Sequence, residues 1–115
     1  MKELFKSITM EEYISATKQY KGNELIGRDA GVYFIYGIDG KLIYIGWTND
    51  FSRRIRSHVN SSHFKEEIKS FRFFSRDNFY KFYEKHPEIN DVESFFISLF
   101  KPKYNKQSLN YLELL

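Results

Sequence analysis

An α/β chain of the α+β kind, with helices around a small, largely antiparallel sheet, is what this sequence predicts. Three observations carry that expectation. Two aromatic and β-branched runs, residues 31–37 and 41–46, flank Asp39-Gly40, a strong two-residue hairpin signal. Phe51, Ile55 and Val59 then recur at helical spacing. A last apolar segment, "DVESFFISLF", runs from near Asn90 until Lys101-Pro102 stops it.

The 115 residues suffice for one domain with a single modest core. Twelve Phe, nine Tyr and one Trp can fill it without disulfides, and there is no Cys to form one. The absence of Cys also excludes thiolate catalysis and zinc–cysteine sites. The apolar runs are far shorter than a membrane span, and "MKELFKSITMEEY" lacks a signal-peptide core. A soluble, cytoplasmic protein with no membrane partner is therefore expected.

From the N-terminus, residues 1–30 read as a helix and a connector. Thr9 and Glu12 have capping-box spacing; Met10, Tyr13, Ile14 and Tyr20 share one face, and Gly22 is the expected stop. The hairpin follows, and Asn49 or Asp50 can cap the helix beyond it. A second helix is expected from about Ser62, with Phe64, Ile68 and Phe71 on its stripe. "FRFFS" at 71–75 reads as a third strand, whereas "NFYKFYEKH" is open between helix and strand. The tail 106–115, "KQSLNYLELL", is apolar enough to pack on the body or meet a partner.

A two-residue loop would pair Ile35 with Tyr44 and Tyr33 with Gly46. Alternation then puts Tyr33, Ile35, Tyr44 and Gly46 on one face, with Gly46 leaving open space beside the Tyr33 ring. A loop one residue longer would send the two tyrosines to opposite faces. On the next helix, Arg54 and His58 are four residues apart and share a face, while Arg53 and Arg56 point elsewhere, toward solvent or a phosphate backbone. An arginine fork suits a phosphate, and a histidine can move a proton near neutral pH. Net charge agrees: residues 41–80 carry eight basic and four acidic groups, a local +4 in a chain of +3. On a wheel of about 100° per residue, Glu93 falls between Phe100 and Ile97, inside the apolar arc of the last helix. A charge there is costly without a partner such as a cation, unless it only closes a capping box with Asn90.

With these residues in order, "GVY" at 31–33 and "YIG" at 44–46 resemble the signature of the GIY-YIG nuclease family. The similarity continues through Thr48, the "RRIRSH" helix, Glu93 and the "KPKYN" that ends at Asn105. It covers about residues 31–105. The resemblance implies a three-stranded antiparallel sheet flanked by helices, and metal-dependent hydrolysis of phosphodiester bonds in DNA. By matching position, Glu93 would ligate Mg²⁺ or Mn²⁺, and Tyr33 would act as general base or proton relay. Arg54 would stabilise the phosphate, Tyr44 and His58 would orient or share the proton, and Asn105 would be structural. Gly46, Arg53, Arg56, Lys101 and Lys103 complete the set as substrate-binding positions. Specificity would come from the first 30 residues, from the insertion-like "SRDNFYKFYEKHPEIN", from a homodimer or from a partner protein. The rival expectation is a nucleic-acid-binding module that keeps the fold without catalysis. A purely structural domain leaves Glu93 unexplained.

Overall fold

The computed structural model, which describes residues 5–89 and 91–105, contains four strands, three of them where aromatic and β-branched residues crowd. They are β1 (Phe5–Thr9), β2 (Gly31–Tyr36), β3 (Leu42–Thr48) and β4 (Ser70–Ser75), in the order β1-β4-β2-β3. All neighbouring pairs are antiparallel. The expected three-stranded sheet is thus corrected to four strands. The added one, β1, comes from the segment read as helix: Phe5 pairs with Phe74 and Ile8 with Phe71. Only Ile8 is fully buried along β1, so nothing local announces the strand; its partner 65 residues away creates it.

Helix α1 (Met10–Lys18) starts where the capping box requires. Thr9 Oγ1 accepts the Glu12 N–H at 3.1 Å, and Glu12 Oε1 accepts the Thr9 N–H at 2.9 Å. Such a cap is worth about 1 kcal/mol. Of the expected stripe only Tyr13 is buried; Ile14 and Tyr20 are exposed. Gly22 does not stop α1 but opens a second short helix, α2 (Gly22–Ile26).

The hairpin has the expected register, Tyr33 opposite Gly46 and Ile35 opposite Tyr44, but not the expected turn. Gly37–Lys41 form a wider loop around a 3₁₀ turn, with Asp39 and Gly40 both left-handed at φ 63° and 70°. Pairing then shifts by one residue, so that Tyr36 faces Leu42 and Ile43 bulges from β3. The bulge cancels the odd loop, and the two tyrosines stay on one face.

Helix α3 (Phe51–Ser61) is capped by Asp50, whose carboxylate accepts the Arg53 N–H at 3.1 Å. The second helix expected from Ser62 is only a 3₁₀ turn, Lys65–Glu67. Phe64 and Ile68 are nonetheless buried, and the Lys69 N–H bonds to Tyr36 O at 2.8 Å: strand pairing overrides helical spacing. "NFYKFYEKH" resolves as helix, α4 (Phe79–Lys85). The last helix, α5 (Val92–Phe100), is capped by Asp91, which accepts Ser94 N–H at 3.2 Å. The cap expected from Asn90 and the packing expected of the tail 106–115 lie outside the described residues.

The sheet separates two cores. Tyr33, Ile35, Ile43, Phe71 and Phe73 pack under Phe51 and Ile55 of α3 on one face. Val32, Phe34, Ile45 and Phe74 meet Phe82 of α4 and Val92 and Phe96 of α5 on the other. Among the described residues, no helix is long and apolar enough to cross a membrane.

Candidate active site

The tyrosine face of β2 and β3 lies under α3, which brings Tyr33, Tyr44 and His58 together. Tyr33 Oη and His58 Nε2 are 2.8 Å apart. The Tyr33 and Tyr44 rings lie 6.0 Å apart, and Tyr44 and His58 5.0 Å apart. Tyr33 is only 1% exposed, while Tyr44 and His58 are half-buried and Arg54 is exposed on the same helix face as His58.

Gly46 differs from its expected role. The space above it is not open: a Cβ built there would come within 2.3 Å of Tyr33 Oη and 2.4 Å of Tyr33 Cζ. The phenol lies directly on the glycine. Gly46 is thus a seat for the ring, not a gap in a pocket wall.

Burial sets the protonation states. It pushes the Tyr33 phenol far above its ordinary value of 10.0; Tyr44 and Glu93 add to this and Arg54 opposes it. The ring is therefore a neutral phenol. His58 is held down to about 4, by burial first and by the Arg54 guanidinium second. It is therefore a neutral imidazole, and its Nε2 accepts the proton of the Tyr33 hydroxyl when Nδ1 carries the hydrogen.

Glu93 approaches from the other layer. It is half-buried on α5, whose buried residues are Val92 and Phe96. Phe95 and Ile97, the flanks of the arc read from the sequence, are partly buried against the same core. Glu93 thus lies between Phe96 and Ile97 on the packed side, while Leu99 and Phe100 depart from that arc by being exposed. Its carboxyl is raised above the ordinary value by burial and then by Asp91, while the backbone N–H of Trp47 opposes that by donating toward it. No lysine or arginine pairs with it among the described residues.

The outer edge of β3 explains how the two layers meet. Asn105 accepts the Ile45 N–H at 2.9 Å and donates to Ile45 O at 2.7 Å, and the Tyr104 N–H bonds to Ile43 O at 2.9 Å. Two residues along, the Trp47 N–H points to the same side, toward Glu93. Chain following α5 is pinned to the edge strand, and Glu93 lies along that same outer edge, while the tyrosines occupy the sheet face under α3.

Other expected residues are scattered. Arg53 is exposed on α3. Arg56 lines a cavity of about 220 Å³ with Tyr13, Thr17 and Ser52, on the α1–α2 side. Lys101 ends α5 in a left-handed conformation, φ 46°. Lys103 lies 3.4 Å from Glu67, which also accepts the Tyr104 hydroxyl, and is thereby engaged within the fold. One contributor was not foreseen: Phe64 stacks on His58 at 5.6 Å and on Tyr104 at 4.8 Å, and lies 5.5 Å from Tyr44. Its helical spacing to Ile68 hid it.

A divalent ion fits this set. Magnesium takes hard oxygens and is commonly held by one or two carboxylates, with water and phosphate filling the rest. Glu93 offers one unpaired, half-buried carboxylate, and no group of three or more potential ligands exists among the described residues.

Two phenols, a half-buried imidazole and an exposed guanidinium, with the half-buried Glu93 carboxylate approaching from the other layer, are the means of handling a phosphate ester, and the class is that of a nuclease. Residues 29–105 match the GIY-YIG catalytic domain, so the chain belongs to the GIY-YIG family, which acts on nucleic acids. No curated protein matches the sequence.

Proposed function

We propose that the protein is a metal-dependent endonuclease that hydrolyses phosphodiester bonds of DNA, with Tyr33, Tyr44, Arg54, His58 and Glu93 as its working residues. The observation that carries this reading is the 2.8 Å contact between Tyr33 Oη and His58 Nε2, in a cluster whose protonation also responds to Arg54 and Glu93. Glu93 would hold Mg²⁺ or Mn²⁺, and the ion would supply Lewis-acid stabilisation of the phosphate.

A neutral phenol is a poor base by itself, so Tyr33 works as a relay. Its oxygen takes a proton from the attacking water as its own proton passes to His58 Nε2. The imidazolium so formed is disfavoured by burial and by Arg54, and becomes acceptable as negative charge builds on the phosphate. Arg54, exposed at the mouth, can neutralise that charge with a bidentate fork. Tyr44, against both partners, fixes their geometry.

The test is cleavage of labelled duplex, flap and branched DNA with Mg²⁺ or Mn²⁺. Products are expected with metal and none with EDTA or with Glu93→Ala, and Tyr33→Phe should lose about 10²–10⁴-fold in rate. Equal cleavage with EDTA would sink the metal assignment. Metal-independent binding with no product on any substrate would favour a non-catalytic binding module.

A further inference from the structure

Beside Glu93 lies a cleft of about 310 Å³, of which the proposed hydrolytic machinery uses only that carboxylate. It is lined by Val32, Trp47, Phe79, Tyr83, Asp91, Val92 and Glu93 itself. Its walls are aromatic: Trp47 and Phe79 are 5.9 Å apart, Phe79 and Tyr83 6.2 Å. Trp47 is 37% exposed, a large apolar surface left unfinished. Phe79 and Tyr83 are half-buried and come from α4, within the insertion-like stretch that had no role in the chemistry.

We infer that this cleft receives an unpaired nucleobase flanking the scissile phosphate, and hence that the substrate class is nucleic acid with an unstacked nucleotide at the cut. The inference rests on the proposed nuclease reading, because continuity with Glu93 decides the occupant. A phosphate held beside that carboxylate carries a sugar and a base on either side, so what reaches the adjoining cleft is a nucleotide. Every base has a π-face for an aromatic wall, and stacking of this kind is tolerant of sequence. The polar rim is acidic. Asp91 already accepts Ser94 Oγ at 3.0 Å as well as the Ser94 N–H, and a carboxylate oxygen beside the cleft favours the N–H edge of a base, an amino group or the ring N3–H of thymine, over a second phosphate. A base paired within a duplex presents only its edges, so its face cannot meet these rings.

Two readouts test it on the full chain. In the first, metal-loaded protein cleaves two strands that differ only in one nucleotide beside the cut, an unpaired thymine or an abasic residue. Wild type is expected to favour the thymine strand at least about fivefold in kcat/KM, the weak end of a base–aromatic stack. Phe79→Leu should bring that ratio to unity while leaving cleavage of the abasic strand unchanged, Trp47→Leu should bring the ratio to unity as well, and Trp47→Tyr should retain it. In the second, Trp47, the chain's one tryptophan, reports directly: oligothymidylate should quench its fluorescence and the abasic oligomer should not. Quenching with the expected selectivity upholds the cleft even if nothing is cleaved, which separates it from the fate of the nuclease reading. A ratio unchanged in Trp47→Leu, equal quenching by both oligomers, or preference for fully paired duplex would overturn it.

Discussion

At the scale of single residues, the candidate site depends on one missing methyl group. Tyr33 is packed from below by the backbone of Gly46, and a side chain of any size there occupies the volume of the phenol. The ring has nowhere to retreat, being 1% exposed between the sheet and α3. Gly46→Ala should therefore cost about 1–3 kcal/mol of stability through overpacking. It should also move Tyr33 Oη away from His58 Nε2, and a displacement of about 1 Å is worth on the order of 10²-fold in rate. The check is a pair of measurements, the melting midpoint and kcat; a variant that melts lower but turns over normally would show that the glycine serves packing alone. The shared face of Tyr33, Tyr44 and Gly46 was legible in alternation. The contact of ring on glycine was not, because alternation says which residues are opposite and nothing about which way a side chain leans.

At the scale of elements, β3 decides the architecture of the site, because it is an edge strand that the chain itself covers. Ile43 O, Ile45 N and O, and the Trp47 N–H would otherwise face outward. Residues 104 and 105 take the first three, and the last points toward Glu93. One amide side chain thus replaces a neighbouring strand at Ile45. Asn105→Ala frees both groups to water, with an expected loss of about 1–3 kcal/mol, toward the lower end because the edge can hydrate. Glu93 is on the helix that this segment anchors, so metal affinity should weaken together with stability. Isothermal titration with Mn²⁺ beside a denaturation curve tests this, and an unchanged affinity would mean that α5 holds its place without the anchor. The role of Asn105 came from family resemblance; the bond itself has no sequence signal. Strands β2, β3 and β4 were legible because their composition is strongly β-forming. β1 was hidden by its polar residues and by the capping box directly after it, and the helix expected after Ser62 failed because Phe64 and Ile68 are buried by a loop and not by a helix stripe. The turn was misread as two residues, and the tyrosines kept their face only because a bulge compensated.

At the scale of the whole molecule, protonation of the site becomes a property of the fold, and the two central groups push in opposite directions. His58 is depressed from 6.5 to about 4 in the folded protein. Between those values the unfolded chain binds more protons, so His58 contributes stability that is present above about 6.5 and is lost as pH falls toward 4. Glu93 is raised above 4.5, so the folded state holds its proton longer, and its contribution is lost instead as pH rises above 4.5. The two slopes partly cancel in wild type. Their separation requires variants that remove one titration and keep the shape: His58→Gln, whose amide oxygen can still accept from Tyr33, and Glu93→Gln. Relative to wild type, His58→Gln should lose less of its melting temperature between pH 6.5 and 4, and Glu93→Gln should lose more. Adding Mg²⁺ at pH 7 should raise the midpoint of wild type and of His58→Gln, by mass action on the folded state, and leave Glu93→Gln unmoved. If His58→Gln instead tracks wild type across the window, the imidazole is not buried as a neutral acceptor. The relay would then lose its terminus, and Tyr33 would have to pass its proton directly to solvent.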